Sequence, residues 1–176
     1  NNQLNYKAYT TNVTDAESNL LRIPLWLLDV DDFALLLEIN KKSQIAIIEK
    51  ALRNVDLFKR PEAEVIKYKN SIIASAVLDI LLSGRPASQI RDQIMSALSK
   101  FNTSELNLES IISQPGYNRT LRQCLHIDEN NKLNAIELVT EFLQSHLLPE
   151  IKTSLPDGSY PYTLEDLNDA MEFTLI

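Results

Sequence analysis

One apolar stripe constrains this chain more than any other feature. Val65, Tyr68, Ile72, Ile73, Ala76, Val77, Ile80 and Leu81 recur at three- and four-residue spacing. That period belongs to an α-helix with one face to bury, because residues i, i+3, i+4 and i+7 share a side of the cylinder. Pro61 fits the first turn of such a helix, and Gly84 followed by Pro86 fits its end. A long one-sided helix needs partners, and the flanking sequence supplies them. Ile45, Ile48, Leu52 and Val55 mark a helix over about 43–57. Ile90, Ile94, Leu98 and Phe101 mark another over about 87–100, and Leu133, Ile136, Val139, Phe142, Leu143 and Leu147 a third, ended by Pro149.

Capping chemistry places two more helices. Asp29 stands where its side chain can accept from first-turn amides, with Asp32 three positions on favouring the positive helix end. Phe33, Leu36 and Leu37 then share a face, and Asn40 can close the turn. Thr163 caps a last helix with Asp166 at the third position, and Leu164, Leu167, Met171 and Leu175 as its apolar residues. Residues 4–10 alternate with period two, as in a strand. A loop over 10–19 and an extended segment over 20–28 follow. The stretch 102–116 carries no clear pattern beyond a turn at Pro115-Gly116; 117–126 reads as a short helix, and 152–162 as a loop rich in turn formers. Only three glycines occur, which argues against tight β-hairpins and phosphate-cradling loops. The expectation is a mainly α fold, a multi-helix bundle of about six or seven helices with a short N-terminal extended segment. Residues 1–19 are expected to be a strand end and loop, and 20–176 a helical domain.

A chain of 176 residues can close a real core, since about 150 residues already bury roughly 70% of their unfolded surface. Its net charge of -7 excludes a uniformly basic nucleic-acid binder, though not a local patch. Cys124 is the single cysteine, so no internal disulfide forms, and a reducing cytoplasm is the expected home. No apolar run approaches the eighteen or so residues that span a bilayer, and no leader pattern is visible, so no membrane partner is expected. The chain starts at Asn1 rather than Met, from which a segment of a longer protein is expected.

Most catalytic and ligand chemistry lacks its residues. Gly84, Gly116 and Gly158 are far apart, and none precedes Lys-Ser or Lys-Thr, so this chain has no phosphate loop. Cys124, His126 and His146 lack zinc spacing, and a buried thiol with a half-exposed histidine is the plainer reading. The acidic turn Asp128–Asn131 has Leu133 and Val139 where a calcium loop needs Gly and Glu. No elbow motif surrounds a serine, and only two histidines could serve as base. Asn12, Asn102 and Asn118 head Asn-x-Ser/Thr triplets that matter only in a secreted chain. No catalytic, metal-binding or cofactor-binding residue is therefore assigned. Charge is uneven, however. Residues 41–69 hold Lys41, Lys42, Lys50, Arg53, Lys59, Arg60, Lys67 and Lys69 against four acids, whereas 128–172 hold ten acids against Lys132 and Lys152. The eight basic residues are the candidate DNA or partner contact; two ordinary solvated faces are the alternative. Phe58 and Tyr68 are thin aromatic support for single-strand stacking there.

Two segments carry a resemblance. Leu21-Arg22-Ile23-Pro24-Leu25-Trp26-Leu27-Leu28-Asp29-Val30-Asp31-Asp32-Phe33 resembles the start of the helical insertion in HerA-type ATPases of the HerA/FtsK superfamily. Gln44–Leu52 is similar to that insertion's next helix, and Tyr162–Glu172 to the helix with which it returns to the ATPase core, so that residues 1–19 would be a strand end and loop from that host core. The resemblance covers 20–52 and 160–175, and the middle matches only in being helical. It implies a non-catalytic domain of a hexameric motor that moves along double-stranded DNA, with a nuclease or other effector as partner, in DNA end processing or anti-phage defence. ATP and Mg2+ would belong to the parent protein, whose Walker residues have no counterpart here. A free-standing helical adaptor is the alternative, favoured by an exposed apolar patch. A helical enzyme using Cys124 or His126 is a third, and needs both side chains in one concave pocket.

Overall fold

The computed structural model describes residues 9–10, 19–20, 22–149 and 160–176. These form seven α-helices: α1 Val30–Leu36, α2 Lys42–Lys59, α3 Glu62–Leu81, α4 Ala87–Lys100, α5 Leu121–Cys124, α6 Ile136–Gln144 and α7 Leu164–Thr174. A 3-10 turn at Leu25–Leu27 precedes α1. Strands β1 Tyr9–Thr10 and β2 Asn19–Leu20 pair in parallel, and β3 Ile111–Gln114 pairs antiparallel with β4 Tyr117–Thr120. The fold is mainly α, as the apolar spacing predicts.

The helix starts have local causes. Asp29 Oδ1 accepts from the Asp32 amide while Asp32 Oδ2 accepts from the Asp29 amide, a reciprocal capping box. Thr163 and Asp166 repeat this at α7, and Thr120 and Gln123 at α5. Gly84, at φ +70, takes the left-handed turn after α3 that a side chain would oppose.

Two apolar clusters organise the packing. The larger is built on α3, which packs against α4 and α6. Its fully buried members include Ile73, Val77, Ile94, Leu98, Leu106 and Leu121. The smaller joins Phe33 of α1, Ile48 and Val55 of α2, and Tyr162, Leu167 and Ala170 in and before α7, with Leu25, Trp26 and Leu28 packed on it. Phe58 of α2, Phe101 after α4 and Phe173 of α7 pack together within the larger cluster, with ring centroids 4.7 to 5.2 Å apart. Such tilted and edge-on pairs suit the ring quadrupoles.

Several expectations change. A tight hairpin does exist: Pro115-Gly116 turns the chain, with Gly116 at φ +91. One correctly placed glycine suffices, so a low glycine count limits the number of hairpins, not their presence. The helix expected over 117–126 shrinks to four residues, because 117–120 pair with β3. The segment 102–110 is ordered by polar bonds. Buried Thr103 donates its hydroxyl to Asn70 Oδ1 and accepts from the Leu106 amide, while Asn70 Nδ2 donates to Glu105 Oε2 at 2.7 Å. The helix expected over 133–147 begins only at Ile136, since Leu133 bridges to Ile127 across the turn. That turn is closed by Asp128 Oδ1 accepting from the Asn130 and Lys132 amides. Glu38, at φ +53, rather than Asn40, reverses the chain after α1. The extended segment 20–28 is broken by the 3-10 turn. Of the expected strand 4–10 only Tyr9–Thr10 lies within the described residues, and most of the expected loops 10–19 and 152–162 lies outside them.

Candidate functional site

The basic stretch 41–69 does not make one patch. α2 rises about 1.5 Å per residue, so Lys42 and Lys59 stand about 25 Å apart along it. Its members divide by role. Lys69 is 6% exposed and donates from Nζ to the carbonyls of Phe58 at 3.0 Å and Arg60 at 2.7 Å. It thereby serves carbonyls at the C-terminal end of α2, where a cation also meets the negative end of the helix dipole. Burial holds its ammonium below the ordinary lysine value, against the attraction of Glu62. Arg60 is 3% exposed, pairs with Asp56 at 2.9 Å and lies 5.0 Å from the Tyr160 ring centroid. Asp56 also accepts from the Tyr160 amide, so this group ties the end of α2 to the chain before α7. Lys69 and Arg60 are structural cations. Lys59 pairs with Asp166, and Arg53 with Glu49.

Lys41, Lys42, Lys50 and Lys67 remain exposed, with no ion pair among the described residues. Lys41 and Lys42 open α2, whose first turn holds no acid. Cations at a helix N-terminus oppose its dipole by about 0.3–1 kcal/mol each at low salt. These two cations therefore stand at some cost to the local stability of α2. Just before it in the chain lie Leu35, Leu36 and Leu37, at 81%, 66% and 56% exposure.

A second basic surface escaped the sequence reading. Arg85, Arg119 and Lys132 line an open cleft of about 850 Å³ between the N-terminal ends of α4 and α6 and the hairpin. Its only acidic lining residue is Glu137. Neither helix has a side-chain cap, since Pro86 and Ala135 hold the cap positions. Arg119 and Tyr117 are two apart on β4 and so share a face. Arg119 lies 4.8 Å from the Tyr117 ring centroid and donates to its hydroxyl at 2.8 Å. The one advance signal was Tyr117, Arg119 and Arg122 following a Pro-Gly turn.

Among the described residues, Cys124 and His126 do not line one cleft. Cys124 is buried, and burial raises its thiol above the ordinary value. His126 lines a neighbouring cleft that Cys124 does not. Among the described residues, no three or more His, Cys, Asp or Glu cluster as a metal site. Gly84 and Gly116 each serve a single turn. No helix among the described residues is long and apolar enough to cross a membrane.

The fold and its surfaces thus define a mainly helical domain with separate basic surfaces on an acidic chain. No protein-family model, characterised protein or solved structure matches it.

Proposed function

We propose that this chain is the non-catalytic helical domain of a HerA-like, DNA-translocating ATPase, supplying subunit, partner or DNA contacts in a cytoplasmic hexamer. The observation that carries the reading is the smaller apolar cluster. The two segments that resemble the family, far apart in sequence, pack there: Leu25, Trp26 and Phe33 meet Tyr162, Leu167 and Ala170. An inserted domain must leave and rejoin its host at nearby points, and the packing of these two segments into one cluster supports that reading. The lysines at the start of α2 supply the second support, as cations placed against the helix dipole where a phosphate would sit well. ATP and Mg2+ belong, on this reading, to the rest of the longer protein.

The gene around this segment tests the reading. A strand followed by G-x-x-x-x-G-K-[ST] before Asn1, and an apolar strand ending in acids after Ile176, are expected. Absence of both overturns it. In the longer protein, Lys41→Glu with Lys42→Glu is expected to stabilise α2 by about 0.3–1 kcal/mol per residue while weakening DNA or partner binding. Unchanged binding to both removes this surface from the proposal.

A second reading has its own observation. The exposed Leu35, Leu36 and Leu37, with exposed Ile23 and Leu27, suit a helical adaptor that docks a protein partner. A stop codon directly after Ile176 and a start directly before Asn1 would favour it.

A further inference from the structure

We propose that the cleft between α4, the β3–β4 hairpin and α6 binds single-stranded nucleic acid, its phosphates on Arg85, Arg119 and Lys132 and a base against Tyr117. The proposal rests on the cleft alone and does not need the ATPase reading.

Charge is the first argument. The chain is acidic overall, at -7, yet three cations converge here against one lining acid. None of the three has a carboxylate partner among the described residues, whereas Arg53, Lys59, Arg91, Lys100 and Arg122 each have one. Arg85 is bound to the neutral Gln93 side chain, and Arg119 to the Tyr117 hydroxyl. Unneutralised cations facing one concavity repel each other, and an anion relieves that repulsion.

Base chemistry is the second argument. Tyr117 is half exposed and backed by a guanidinium, an arrangement on which a nucleobase stacks. Gln114 stands opposite it in the hairpin register and also lines the cleft. Its Oε1 is buried and has no hydrogen-bond partner among the described residues. That oxygen has no accessible surface of its own, so what Gln114 offers a base is the half-buried remainder of its side chain at the cleft wall.

Extent is the third argument. A neighbouring cleft of about 870 Å³ shares Arg119 and Asn134 with the first and adds Arg91 and Arg122. Arg91 is paired there with Asp92, which lines the same cleft, and Arg122 with Glu109, so the concavity continues past the first cleft as a strand needs, while the unpaired charge stays in the first. A lone hairpin aromatic at the wall of a cleft suits unpaired bases better than the rigid face of a duplex.

The test is fluorescence anisotropy of the whole 176-residue chain with a labelled 20-nucleotide single strand of mixed sequence. Three phosphate contacts predict a log K against log salt slope of about -2, at about -0.7 per contact. Arg85→Gln with Arg119→Gln and Lys132→Gln is expected to weaken binding at least tenfold and flatten the slope. Tyr117→Ala and Gln114→Leu are expected to weaken it several-fold without changing the slope. Arg22→Gln with Lys100→Gln, both exposed and outside the two clefts, is the control and should stay within twofold. Thermal melts confirm that each variant folds, and Arg119→Lys keeps charge if Arg119→Gln does not fold. No binding at low salt, equal loss in the control, or preference for the duplex of the same sequence overturns the proposal. Displacement by ATP at concentrations that free nucleotide phosphate also matches would assign the cleft to a small anion and overturn it as well.

Discussion

The two apolar clusters share helices but differ in closure. The larger, around α3, is enclosed by α4, α6 and the hairpin region, and polar bonds fasten its lid: Thr103 and Asn70 join 102–107 to α3. The smaller gathers α1 and α7 against α2, and α1 offers it buried Phe33 and partly buried Val30 while Leu35 and Leu36 face outward. A helix of seven residues is too short to persist on its own propensity, so α1 depends on its capping box and on Phe33. Enclosure on all sides makes a scaffold; enclosure on one side leaves an adaptable edge, and the resemblance and the exposed leucines both lie on that edge.

The contrast can be broken by mutation. Leu106→Ala or Leu121→Ala, fully buried in the larger cluster, should cost about 3–4 kcal/mol and lower the whole unfolding transition in a denaturant titration. Phe33→Ala should instead release α1 and the start of α7 from hydrogen-exchange protection before α3 opens. Equal loss of protection throughout would mean one cooperative core. Thr103→Val strands the Asn70 amide and should cost about 1–3 kcal/mol by thermal melt.

Thr163→Ala removes a cap of α7 and should cost about 1 kcal/mol. It should also reduce the acid sensitivity of the smaller cluster. The Thr163 amide bonded to its carboxylate holds Asp166 below the ordinary aspartate value, with the Thr163 hydroxyl and Lys59 adding to this. Because the folded value is the lower one, this stability is full above the unfolded pKa and is lost as pH falls through the folded pKa. Glu62 behaves alike through the Ser104 amide and hydroxyl. Urea midpoints measured from neutral to strongly acid pH should fall there, less steeply in the Thr163 variant. The smallest effect is expected of Leu35→Ser with Leu36→Ser, within about 0.5 kcal/mol. A larger loss that depends on protein concentration in sedimentation would mean that this edge already covers itself by self-association.

Local chemistry was readable in advance. The caps at Asp29 and Thr163, the Gly84-Pro86 stop and the apolar faces of α2, α3 and α4 depend on residues within a turn or two, so spacing reveals them. The charged positions were not readable in the same way. Eight basic residues were countable over 41–69, but burial of Lys69 depends on where the C-terminal end of α2 falls, and that of Arg60 on Tyr160, a hundred residues on. The cleft was less visible still, because Arg85, Arg119 and Lys132 stand in three separate segments.

Sequence by itself therefore determined the helices, their caps and the mainly α class, since hydrogen bonds and side-chain period act over three or four residues. Tertiary structure alone decided which cations are struts and which face solvent together, and that one glycine would turn a hairpin whose β4 carries two of the cleft's residues. Charge acts through space, and only the folded chain sets the distances.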